Sequence, residues 1–148
     1  MPPLVRRYLK TAFVFLVLGL LTGLHVSAVE YMGWGVMRRG YVPAHAHMIL
    51  VGFLLQTIMG VALWMFPKPA EGDRRWKPGR FVLVYWLLVL GVVGRSTGEI
   101  VHEYTYDRLW SWMVFVSSSV ETLAVIVFVV SMLPRIRSPR EEYEQGRS

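Results

Sequence analysis

The chain has 148 residues, 54% of them hydrophobic, with a net charge of +6. That is too apolar for a soluble globular domain and fits a small integral membrane protein. The absence of cysteine excludes disulfides, thiolate zinc centres, iron–sulfur clusters and thioether-attached haem, so any metal rests on His, carboxylate or Met.

Four apolar runs, about 10–28, 44–66, 81–101 and 110–133, are each near the ~20 residues a helix needs to cross a bilayer core. They predict an all-α, integral membrane four-helix bundle, a single domain spanning 1–148, with residues 134–148 as a polar cytoplasmic tail. Twelve of the sixteen Lys and Arg fall at the N-terminus, between Lys68 and Arg80, and after Leu133. The positive-inside rule then places both termini in the cytoplasm, and the expected location is the cell's inner (plasma) membrane. Topology accounts for the basic charge, so no nucleic-acid partner is expected; the lipid bilayer is.

Span one follows Arg6, Arg7 and Lys10, and Val26-Ser27-Ala28 imitates a signal-peptidase site. Because this run continues the pattern of the other three, it reads as a retained anchor. Gly19 and Gly23 form a G-x-x-x-G pair that permits close helix approach. His25 closes the span. The loop that follows carries Tyr31, Trp34 and Tyr41, residues suited to the headgroup level.

Span two opens with Pro43, tolerated in a first helical turn, and with His45 and His47. Positions four and seven apart share a helix face, so His45 lies over Gly52, Gln56 and Gly60. His47 is about 200° around the helix and is expected to meet headgroups, a neighbouring subunit or a second metal. Span three repeats the design in reverse: behind His102 lie Gly98, Arg95, Gly94 and Gly91, with Glu99 at the edge. Two glycine-lined grooves ending in histidine at one surface suggest a slot for a flat cofactor. Span four carries Ser117, Ser118, Ser119, Glu121 and Thr122. A carboxylate at that depth needs neutralisation or a partner; Arg95 is the expected partner of Glu121, with Glu99 as a rival for Arg95.

All four histidines of the chain, His25, His45, His47 and His102, thus gather at one membrane surface, the raw material of a haem or copper site. The stretch from Pro43 through His45, His47, Gly52 and Phe53 to Gln56, Gly60, Trp64 and Pro67 resembles the second helix of the haem–copper oxidase and nitric oxide reductase catalytic subunit. In that family the helix opens with an axial histidine of the low-spin haem, and the resemblance carries that role to His45. Span one is similar to the family's first helix, and span three to its third. The family's later helices, with the second haem ligand and the copper ligands, have no counterpart here, so the binuclear oxygen-reducing site cannot be built.

The resulting expectation is a b-type haem protein for electron transfer or small-gas (oxygen, nitric oxide) binding. His45 supplies one axial ligand, and His102, His25 or another subunit the opposite one. Gly52, Gln56 and Gly98 line the slot, and Arg38, Arg39, Tyr41 and Arg95 are the propionate candidates. The alternative is a copper or zinc site using His45, His47, His25 and His102 with Glu30 or Glu103 as an oxygen ligand, or an accessory or assembly subunit of a respiratory complex. A homo-oligomer is expected, since four helices enclose little room for a haem; the redox partner is left open.

Overall fold

The computed structural model describes residues 1–66 and 78–136. Most of the expected tail, and the greater part of the basic loop after Phe66, lie outside the described residues. The described part is all-helical. Four helices are long and apolar enough to cross a membrane: α1, Pro3–Met32; α2, Tyr41–Met65; α3, Pro78–Thr105; and α4, Arg108–Met132. Every helix begins earlier than its apolar run by two residues or more, and α1 and α3 also end later, because helix geometry continues into the polar flanks. A short 3₁₀ turn, Leu133–Arg135, follows α4.

The helix ends have local causes. Gly33 stops α1 in the left-handed conformation, with φ 68°, which glycine adopts without steric cost. Only Tyr106 and Asp107 separate α3 from α4; Tyr106 takes φ 50° to turn the chain, and the Asp107 side chain accepts from Leu109 N–H at 3.0 Å to cap α4.

Within α2, Met48–Leu55 is π-helical, flanked by α-helical Tyr41–His47 and Gln56–Met65. The wider turn is rare and is found often at functional sites. It leaves His45, Gly52, Gln56 and Gly60 on one side of the helix, as the sequence spacing suggests, and that side meets α1.

The packing order is α1 on α2, α2 on α3, and α3 on α4, with the first and last pairs far more extensive than the middle one. One buried cluster joins Tyr8, Met59, Phe81, Val84, Tyr85, Leu88, Ala124, Phe128 and Met132; a second joins Phe15, Ala44, Met48 and Val92. Lipid tails are as apolar as leucine, so transfer from water does not hold such helices together; close packing and interhelical hydrogen bonds do. Three of these bonds link the first cluster: Tyr8 OH donates to Phe81 O at 2.9 Å, the Thr11 and Tyr85 hydroxyls pair at 2.8 Å, and Gln56 Nε2 donates to Tyr8 O at 3.2 Å. At roughly 0.6 kcal/mol for each such bond in a membrane protein, they contribute about 2 kcal/mol. Arg135, beyond α4, donates to the backbone carbonyls of Leu63 and Phe66, tying the end of α4 to the end of α2. Burial lowers its pKa.

Candidate functional site

His45 and His47 begin two separate arrangements, because α2 is covered on both sides. His45 lies against α1. Its Nδ1 is 2.7 Å from Gly19 O, and a carbonyl can only accept, so Nδ1 is the donor and Nε2 is the nitrogen left for a ligand in the neutral ring. Gly23 makes room for the ring: a Cβ there would stand 2.7 Å from His45 Cε1. The Gly19–Gly23 pair therefore serves close contact with α2, with Ile49 seated on Gly19 and His45 on Gly23.

His25 is exposed and its ring stands 4.8 Å from that of Tyr41, one helical turn before His45. These two imidazoles share the α1/α2 seam.

His47 corrects the sequence reading. Its Nδ1 is 2.9 Å from Pro43 O and 3.7 Å from Glu99 Oε1, so it faces α3 rather than headgroups. From there the polar groups continue inward. Arg95 Nε donates to Glu99 Oε1 at 3.0 Å, and Arg95 Nη1 is 3.7 Å from Glu121 Oε2. Glu99 and Glu121 thus share one guanidinium; the expected rivals are both partners, with Glu99 the closer. The two carboxylate side chains are only 9% and 7% exposed. Glu99 Oε2 and Glu121 Oε1 are buried without a hydrogen-bond partner.

His102 lines a cavity of about 370 Å³ with Arg39, Gly40, Pro43, Glu99, Glu103, Ser111 and Val114. Its Nδ1 is buried without a hydrogen-bond partner. This cavity lies where the start of α2 meets α3 and α4, so His102 and His45 face different spaces. The expected pairing of the two as axial ligands of one haem is not formed within a chain.

Nor do the two glycine grooves face each other. Gly52 is filled by Phe15 and Gly60 by Tyr8, both from α1. Gly91, Gly94 and Gly98 receive Glu121, Ser117 and Val114 from α4. Gln56 is fully buried and spends its amide on Tyr8 O. Each groove is occupied by the neighbouring helix, so Gly52, Gln56 and Gly98 do not line a slot.

Among the propionate candidates, Arg95 is held by its two carboxylates. Arg38 donates to Glu103 O at 2.7 Å and lies 4.3 Å over the Tyr104 ring, while Tyr41 OH pairs with Tyr104 OH at 3.0 Å. Arg39 lines the cavity. Glu103, an expected oxygen ligand of the copper or zinc alternative, lies beside Gly40 and lines the cavity, while sequence reasoning missed Gly40, which brings α2 against the Glu99 carbonyl, and Ser111, which lines the cavity. Neither of these two has a sequence signal beyond lying near a histidine.

Among the described residues, no group of three or more His, Cys, Asp or Glu side chains converges closely enough to hold a metal ion. The chain matches no protein-family model, and neither curated proteins nor solved structures yield a match.

Proposed function

We propose that the protein is a multi-pass protein of the cell's inner membrane, with both termini cytoplasmic, that binds a b-type haem through His45 for electron transfer or small-gas binding. The observation that carries this reading is the bond between His45 Nδ1 and Gly19 O. A haem-ligating imidazole needs one nitrogen protonated and oriented so that the other is presented to iron. The backbone bond to Gly19 O supports the first part of that requirement, a donating Nδ1 with the ring held in one orientation. When bound, the haem would supply one-electron exchange or a gas-binding iron.

The filled grooves argue against a haem between α2 and α3 of a single chain. His45 sits at the α1/α2 seam, beside an α1 surface on which Leu20, Leu21 and Leu24 are more than half exposed. His25, on the same seam, packs on the Tyr41 ring, so the second imidazole would come from another copy of the chain, since a two-fold interface sets the same residue on both sides of its axis. Titration of haemin into the detergent-solubilised protein tests the reading. Wild type and His102→Ala bind haemin alike, whereas His45→Ala loses binding; retention by His45→Ala, or loss by His102→Ala alone, overturns it. A copper or zinc centre has less support, because the four histidines divide between two faces of α2.

A further inference from the structure

We infer that Glu121 is a proton-binding site inside the membrane-spanning bundle, reached from the cavity beside His102. Charge counting gives the starting point. Arg95 contacts two carboxylates, Glu99 and Glu121, and with both ionised the cluster carries a net negative charge among apolar helices. Such a charge is expensive there unless neutralised. One added proton makes the cluster neutral.

The groups facing Glu121 restrict where that proton resides. From α3 they are Arg95, always charged, and Glu99; from α2, His47 approaches Glu99 but not Glu121. Glu99 is the closer to the guanidinium, at 3.0 Å against 3.7 Å for Glu121, and so is the better stabilised as an anion. Glu121 has one oxygen, Oε1, buried with no donor. A protonated carboxyl tolerates that environment and an ionised one does not. His47 is the other place a compensating proton could be held; at 22% side-chain exposure it has access to polar surroundings that Glu121 lacks.

The route of entry rests on independent observations. The cavity of about 370 Å³ opens among Arg39, Glu103 and Ser111 and reaches Glu99 and His102. In two of the lining residues a buried polar atom, Glu99 Oε2 and His102 Nδ1, has no hydrogen-bond partner. Arg39, Glu99, His102, Glu103 and Ser111 bring polar and charged side chains to this space, which is roomy enough for water, and water there carries protons to the edge of the Arg95 cluster. The ligand is the proton itself, and the site does not depend on haem.

Infrared spectroscopy of the full-length protein in detergent, in H₂O and after transfer to D₂O near neutral pH, tests this. The wild type shows the carbonyl stretch of a protonated carboxylic acid, which shifts down in D₂O. Glu121→Gln lacks the band, Glu121→Asp restores one at an altered frequency, and His47→Asn leaves it unchanged. In Ser111→Phe, which fills the cavity, exchange slows about tenfold as the vestibule loses its water. A wild type without the band, a band surviving in Glu121→Gln, or one lost in His47→Asn overturns the assignment. Unchanged exchange in Ser111→Phe overturns the route.

Discussion

A histidine whose Nδ1 donates to a backbone carbonyl has only Nε2 to offer, and His45 is held in that state by a residue with no side chain. Adding a methyl at Gly23 places it 2.7 Å from His45 Cε1, so the ring must turn or the helices must part. Overpacking of this kind costs about 1–3 kcal/mol. Gly23→Ala is therefore expected to weaken haemin binding in titration while circular dichroism shows unchanged helix content. Gly79→Ala is the control, because a Cβ there meets nothing within 4 Å, and it should bind as wild type does. Equal affinity in Gly23→Ala and wild type would contradict the role given to the glycine.

Between elements, α3 is tied to its neighbours by backbone proximity on one side and by charge on the other. At Gly40 an added Cβ would run into the Glu99 carbonyl, which belongs to a helix backbone and cannot rotate away. Gly40→Ala should destabilise the protein by about 3 kcal/mol, the upper part of the overpacking range, seen as a lowered midpoint of thermal denaturation; an unchanged midpoint refutes the close approach. The charged cluster gives an asymmetric result. Arg95→Met strands the Glu99 carboxylate and should cost about 3–5 kcal/mol, whereas Glu121→Gln leaves Arg95 with Glu99 and costs far less. Similar losses in both variants would show that the three groups do not act together.

The sequence made some of this legible. Four apolar runs specify four helices, and the spacing of His45, Gly52, Gln56 and Gly60 identifies one face correctly even through the π-helical segment. What that face meets is a different matter. Glycines at helical spacing announce close approach but not the identity of the visitor, and here Phe15 and Tyr8 occupy the space that a cofactor would need. His47 looked stranded because periodicity describes one helix at a time; only the placement of α3 beside α2 gives it Glu99. Arg95, by contrast, could be matched to Glu121 in advance, since depth in an antiparallel pair follows from counting residues.

For the molecule as a whole, His102 stands in a different space from His45 and His25 packs on Tyr41, so the haem reading draws its second ligand from another copy. Native mass spectrometry should find haem only in species containing two chains, and a haem-loaded single chain would exclude the shared site. The optical spectrum of the purified protein, oxidised and then reduced with dithionite, tests the central claim most directly. Two imidazoles on one iron predict sharp α and β bands on reduction, absent from His45→Ala. A featureless visible spectrum from wild type supplied with haemin, or the same bands in His45→Ala, would contradict it.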